Sequence, residues 1–216
     1  MKDTIYSREQ YLRKKAAEKE PLNIQLTNNY AFRKLFKMNY IARGFLIALL
    51  GLDEEDVVKL EVIDPFEEGE NEEEKEGILD IKIYLNDNKK INIEMQNRYQ
   101  EDWTERSLFY NCRMFTEGLY HGQPYGDLEP CIHVGILDFD LMKTPGFHHH
   151  IKLLDIKTNE EYSSKLQFHV VQLKQVESAT EEEKTDRIVL LGEITCGKRI
   201  GSRSRKQFVG THIERR

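Results

Sequence analysis

The stretch GILDIKIYLNDNKKINIEMQNR, residues 77–98, predicts two short β-strands joined by a tight polar turn. The turn Asn86-Asp87-Asn88 contains residue types that tolerate left-handed backbone angles and bond nearby main chain. Apolar and polar side chains alternate on both sides of it, so the stretch predicts a hairpin with one apolar and one polar face. The apolar positions are Ile81, Ile83, Leu85, Ile91, Ile93 and Met95.

The register of this hairpin decides which polar side chains meet. A three-residue turn centred on Asp87 brings the two apolar faces together and pairs Ile81 with Ile93. A slip of one residue would turn every side chain to the other face, so the apolar pattern fixes the pairing. In this register Asp80 lies opposite Glu94, at a distance where two carboxylates repel each other.

Two interpretations of the polar face remain open. Asp80 and Glu94, with Lys82 and Gln96 on the same face, form a divalent-cation site, because a hard cation takes oxygen ligands and removes the repulsion. Alternatively they form the solvated face of an amphipathic hairpin, on which Lys82 softens the repulsion. Spacing alone favours the solvated face slightly, because many exposed strands carry acidic residues.

Periodicity predicts further elements on both sides of the hairpin. The long helix after the hairpin is predicted to have one apolar face, with Trp103 and Met114 nearby; that face consists of Leu108, Cys112, Phe115 and Leu119. The adjacent histidines 148–150 should point to alternate faces of a strand, which indicates a structural or incidental role rather than one zinc site. Helices are predicted at about 28–37, 41–51 and 102–120, and strands at 57–63, 131–137 and 165–173.

Composition limits the class of protein. The chain has 216 residues and a net charge of -6, which excludes a strongly basic clamp for nucleic acid. An odd number of cysteines, three, and no signal-like apolar segment at the start favour a reducing cytoplasm. The longest apolar cluster, residues 45–52, is too short to cross a bilayer.

The chain divides into three parts by composition. Residues 1–20 form a charged leader, and residues 21–194 form the folded domain, interrupted by an acidic loop at 67–76. Residues 195–216 are rich in Lys and Arg and lack periodicity. They are interpreted either as an aberrant, frame-shifted end or as a flexible DNA-binding tail.

Six segments, in order and spacing, resemble the PD-(D/E)XK nuclease family transposases, also called the recombination-promoting nuclease family. The resemblance extends over roughly residues 22–190. The segments are LTNNYAFRKLF (26–36), VIDPF (62–66), LDIKIYL (79–85), INIEMQ (91–96), ERSLFYNCRMFTEGLY (105–120) and HVGILDF (133–139).

The resemblance implies an α/β fold with a restriction-endonuclease-like core, a mixed central sheet flanked by helices. It also implies a metal-dependent DNA endonuclease of recombination or transposition. Asp80, Glu94 and the main-chain carbonyl of Met95 would then hold Mg²⁺ or Mn²⁺. Gln96 stands where many members have lysine and can orient water but not act as a base. Lys82 would supply the missing positive charge, or would simply be a charge partner of Asp80.

Two further sites are implied by the resemblance. Asn29 stands where the family usually has an acidic residue that supports the metal, and is interpreted as a helix cap more readily than as a ligand. Arg106 and Arg113, with Tyr110 on the same side of the long helix, would hold DNA phosphates. Alternatively the arginines pair with Glu105 or Glu117.

An alternative function follows from the departures at Asn29 and Gln96. The chain would then be a weak or inactive nuclease-like module that binds DNA or a protein. DNA is the partner expected under the first function, no membrane is expected, and a homodimer is left open.

Overall fold

The computed structural model describes residues 29–63, 81–86 and 88–178. Within them a mixed sheet of six strands has the order β1-β2-β3-β4-β6-β5 and carries helices on both faces, which confirms the α/β class. The helices are α1 (Asn29–Phe36), α2 (Asn39–Leu50) and α3 (Trp103–Thr116). The strands are β1 (Leu60–Ile63), β2 (Ile81–Leu85), β3 (Lys89–Gln96), β4 (Cys131–Leu137), β5 (His148–Leu154) and β6 (Glu161–Gln172).

The hairpin register predicted from the apolar pattern is confirmed. Ile81 pairs with Ile93 and Leu85 with Lys89 in an antiparallel ladder. Strand β3 then pairs in parallel with β4, and β4 in parallel with β6, so β3 forms the junction between the antiparallel and parallel parts of the sheet. The leader, the acidic loop, Asp80 and the basic tail lie outside the described residues.

The apolar face of the hairpin forms the main core. All six of its predicted apolar side chains are buried there, against α1 and α2. Gly51, with a φ of 62°, ends α2 in the left-handed conformation that glycine adopts without strain. The helical side chains buried in this core are Phe32, Phe36, Ala42, Phe45, Leu46 and Leu49.

Helix α3 lies on the other face of the sheet, and its predicted buried face is wrong. Leu108 and Cys112 are exposed. The helix buries Trp103 and Met114, which were predicted near that face, and also Tyr110 and polar side chains. The reason lies in the sheet, because the strand positions under α3 are themselves polar and accept polar partners. Apolar periodicity therefore gave the wrong side of this helix.

The histidines of β5 point to alternate faces of the sheet, as predicted. His148 and His150 stack on His169 of β6, with ring centroids 5.0 and 4.1 Å from it. His149 lies on the other face, where its Nε2 is 3.2 Å from Nε2 of Gln172. None of the helices formed by the described residues combines the length and the apolar character that a membrane span requires.

Asn86 connects the hairpin turn to the segment before β1. It has a φ of 54°, and its Oδ1 accepts hydrogen bonds from the main-chain N–H groups of Val58 and Lys59, both at 3.0 Å. Its Nδ2 donates to the carbonyl oxygen of Asp56 at 2.7 Å. The turn residue thus bonds a distant segment rather than its own neighbours.

We expect Asn86→Ala to lower the free energy of unfolding by about 2 kcal/mol, because alanine loses these bonds and disfavours a positive φ. Asn86→Gly should cost about half as much, since glycine keeps the backbone conformation and loses only the bonds. Urea denaturation measures both. Equal losses for the two variants would contradict the contribution of the left-handed backbone.

Candidate active site

The polar face of the hairpin is covered rather than solvated. Glu94 is 2% exposed and its neighbour Asn92 is 1% exposed, because α3 packs over β3 and β4. The interpretation of this face as a solvated surface is therefore wrong for β3. A buried carboxylate requires a compensating charge or several hydrogen-bond donors, so the surroundings of Glu94 determine what this face can do.

A close contact sets the position of α3 above Glu94. Gly135 of β4 lies opposite Glu94 in the parallel ladder, and the Trp103 ring packs directly on it. A Cβ atom at position 135 would lie 2.6 Å from Cζ2 of Trp103, so only glycine admits the ring at this depth. The first turn of α3 is thereby held next to the buried carboxylate.

Arg106, three residues after Trp103, is the cation that compensates Glu94. Its Nε donates to Oε1 of Glu94 at 3.0 Å, and its Nη2 lies 2.8 Å from the same oxygen in an ion pair. Gln96 Nε2 donates to the same oxygen at 3.1 Å, and Gln100 Nε2 donates to Gln96 Oε1 at 3.3 Å. The structure thus brings together Glu94, Gln96 and Arg106 of the predicted site in one network.

The main-chain carbonyl of Met95 lies on the edge of β3 that faces away from β4. The main-chain N–H of Asp138, just beyond the end of β4, donates to the carbonyl oxygen of Gln96 at 2.9 Å. Successive carbonyls of a strand point to opposite edges, so the Met95 carbonyl points towards the β2 side. Asp80 directly precedes β2 in the sequence and lies outside the described residues.

Lys82 points towards the other end of α3. Its Nζ donates to Oε2 of Glu117 at 2.8 Å and lies 5.5 Å from the ring centre of Tyr84. Burial opposes its charge, but the hydrogen bond and the charge of Glu117 outweigh this and raise the pKa of Lys82. Glu117 follows Arg106 by about three helical turns, so the structure does not bring the Lys82 amine into the Glu94 network.

The three residues predicted to bind DNA have different surroundings. Arg106 is engaged by Glu94 rather than by Glu105 or Glu117, although its side chain remains 32% exposed. Tyr110 is buried, and the Arg106 guanidinium lies 5.1 Å from its ring centre, so the tyrosine supports Arg106 from below. Arg113 is half-buried further along α3. Asn29 is the first residue of α1, and its side chain is outside what the structure describes.

A buried polar pair beside Glu94 was missed by the sequence analysis. Asn92 Nδ2 and His133 Nδ1 are 3.0 Å apart, and the His133 ring lies 5.9 Å from that of Trp103. Burial, and secondarily the positive charge of Arg106, lower the pKa of His133 to about 3. The imidazole is therefore neutral and accepts from the Asn92 amide. Both residues sit at polar positions of otherwise apolar strands, which was the available signal.

Comparison with known proteins gives one match. A family model described as PD-(D/E)XK nuclease family transposase matches residues 26–193, which include both strands of the hairpin and all of α3. No curated protein and no solved structure matches the chain.

Proposed function

Because the chain belongs to the PD-(D/E)XK nuclease family transposases, we propose that it is a metal-dependent DNA endonuclease that acts in recombination or transposition. The family is a nuclease family, which makes DNA the substrate class. The observation that carries the finer proposal is the buried Glu94 carboxylate at the β2–β3–β4 junction, already compensated by a cation.

The residues at this junction fit a divalent cation. Asp80, Glu94 and the Met95 carbonyl would hold Mg²⁺ or Mn²⁺, because carboxylate and carbonyl oxygens are the ligands these ions prefer. Within the described ranges no group of three His, Cys, Asp or Glu residues could hold a metal, and Asp80 lies outside those ranges. When bound, the ion would lower the pKa of a water molecule and stabilise charge on the scissile phosphate.

The protein's own residues would orient the reacting groups and would not exchange protons with them. The Gln96 amide is held between Gln100 and Glu94, so its direction is fixed, and an amide can position a water but not take up its proton. Lys82, with a raised pKa, stays protonated at neutral pH and contributes only positive charge, at the Glu117 end of α3. Arg106 and Arg113 on α3 would contact phosphate oxygens. The working location is the cytoplasm, and a homodimer would present two such sites.

One observation favours a second candidate function. Oε1 of Glu94, one of the two oxygens through which this carboxylate could ligate a metal, already accepts from Arg106 and Gln96. If this arrangement persisted with DNA bound, the chain would be a nuclease-like module that binds DNA or a protein without cutting it.

Nicking of supercoiled DNA in Mg²⁺ or Mn²⁺ tests the two candidates. We expect the intact chain to nick the DNA only with metal, and Asp80→Asn or Glu94→Gln to slow nicking by at least about a hundredfold, because each removes a ligand charge. Glu105→Gln, an exposed acid on α3, is the matched control and should nick at the normal rate. Absence of nicking by the folded chain, or nicking that does not need Glu94, would refute the endonuclease.

A further inference from the structure

We propose that Arg106 is a displaceable counter-ion, which holds Glu94 before a divalent cation binds and then moves to a phosphate of the DNA. This inference rests on the proposed function and adds to it a coupling between metal and DNA. Each ligand raises the affinity for the other, because both act on the same arginine.

The first step is the crowding at one oxygen atom of Glu94. Three nitrogen atoms lie within 3.1 Å of Oε1: Nε and Nη2 of Arg106 at 3.0 and 2.8 Å, and Nε2 of Gln96 at 3.1 Å. A cation that binds through Oε1 competes with these nitrogens, and a cation that binds through Oε2 still lies next to the Arg106 guanidinium. In either case the cation repels the positive charge of Arg106, so Arg106 is the group that it displaces.

The second step is the difference in exposure between the two partners. Glu94 is 2% exposed at its side chain, whereas the Arg106 side chain is 32% exposed. The arginine reaches Glu94 from the rim of the site and rests on the Tyr110 ring, so it can turn outward without opening the core. Its planar guanidinium fits phosphate oxygens with two parallel hydrogen bonds as well as it fits a carboxylate.

The third step is charge balance. A buried carboxylate without a counter-charge is strongly unfavourable, so Glu94 needs a cation in both states. Arg106 supplies it before metal binds, and the metal supplies it afterwards. The freed arginine is then available to DNA only in the metal-loaded state, and linkage requires that DNA raises metal affinity by the same factor.

Metal affinity without DNA tests the first half of this exchange. Mn²⁺ binding is measured by electron paramagnetic resonance, with the intact chain and every variant at the same pH. We expect Arg106→Gln to bind Mn²⁺ at least about fivefold more tightly than the intact chain. Arg98→Gln removes the same charge from an exposed position just after β3 and should leave the affinity unchanged. Glu94→Gln should bind less Mn²⁺ than either.

DNA affinity tests the second half. Anisotropy of a labelled duplex is measured in a metal chelator and in Ca²⁺, an ion that takes the same oxygen ligands. In the chelator the intact chain and Arg106→Gln should bind equally, because Arg106 is held by Glu94. In Ca²⁺ the intact chain should bind at least about fivefold more tightly than the variant.

The outcomes distinguish a failure of this inference from a failure of the proposed endonuclease function. If Mn²⁺ binding depends on Glu94 but is unchanged or weakened in Arg106→Gln, Arg106 is not a displaceable counter-ion. The proposed nuclease function would still stand. The inference is also overturned if Arg98→Gln gains as much Mn²⁺ affinity as Arg106→Gln, or if Arg106→Gln loses DNA affinity in the chelator. Mn²⁺ binding by Arg106→Gln but not by the intact chain supports it most strongly. Failure of both to bind Mn²⁺ overturns the inference and the metal-dependent function together.

A second variant guards against misfolding of Arg106→Gln. Arg106→Lys keeps the charge but offers a single point of contact, so its Mn²⁺ affinity should lie between those of the intact chain and the glutamine variant. The fluorescence of Trp103, the single tryptophan of the chain, reports whether α3 is still packed on β4 in each variant. If the Mn²⁺ affinity of Arg106→Lys lies outside this interval while Trp103 remains packed, the result contradicts displacement of the guanidinium.

Discussion

Replacing Trp103 with alanine is expected to lower the free energy of unfolding by about 3–5 kcal/mol. The ring is 1% exposed and packs in a small second core on the α3 side of the sheet. Removing it leaves a cavity directly over Gly135, where no neighbouring side chain of that strand can fill the space. Because domains of this size are stable by only about 5–15 kcal/mol, a large part of the total is lost. The other members of this core are Leu137, Phe139 and Val170.

Guanidinium denaturation followed by far-ultraviolet circular dichroism measures this loss, since the variant lacks the only tryptophan. Phe109→Ala is the matched control on the same helix. Phe109 is 53% exposed, so its truncation should cost less than about 1 kcal/mol. A cost below about 1 kcal/mol at Trp103 would mean that the ring does not anchor α3, and the contact between Arg106 and Glu94 would then need another support.

The hairpin could be predicted from sequence because its determinants are local. Alternation gave the two faces and the three-residue turn gave the pairing of Ile81 with Ile93, which the ladder confirms. Phe45 and Leu46 belong to the apolar cluster at residues 45–52, and both are buried in α2, where helical periodicity and an apolar partner face agree. Local pattern and tertiary packing require the same side chains to be inside at these positions.

Helix α3 could not be predicted in this way because its partner surface is polar. The exposed Leu108 continues the apolar period, yet the sheet beneath α3 presents Asn92, Glu94 and His133, which select polar and aromatic side chains instead. The pairing of Arg106 with Glu94 joins residues from two elements, and its geometry depends on the approach of Trp103 to β4. The spacing within one segment does not encode contacts between elements, so the residue types of the site could be predicted but their partners could not.

Acidification is expected to destabilise the fold by about 5 kcal/mol between about pH 7 and 4.5 through two buried histidines. Burial lowers the pKa of His133 to about 3. For His169 burial is again the largest cause, followed by the charges of His150, His148 and Lys152, and its pKa also falls to about 3. A histidine in the unfolded chain titrates near 6.5, so the unfolded state takes up protons first as the pH falls.

The direction of the change in stability with pH follows from this order of proton uptake. Each histidine is neutral in the folded state, so its contribution to stability is complete above about pH 6.5 and is lost as the pH falls towards 3. The loss is on the order of 2–3 kcal/mol per histidine at about pH 4.5. His148 Nε2 and His169 Nδ1 are 2.8 Å apart, and one of these nitrogens must accept, so protonation of both rings also breaks their hydrogen bond.

His133→Gln separates the two contributions. Glutamine can still accept from the Asn92 amide but does not titrate, so the variant should lose about half as much stability on acidification as the intact chain. His121→Gln, at an exposed position after α3, should retain the full loss and serves as the control. Denaturant midpoints at about pH 7 and 4.5 give both values. An unchanged acid dependence in His133→Gln would mean that the His133 site admits water when protonated, because only a site that excludes water makes the charged imidazole so unfavourable.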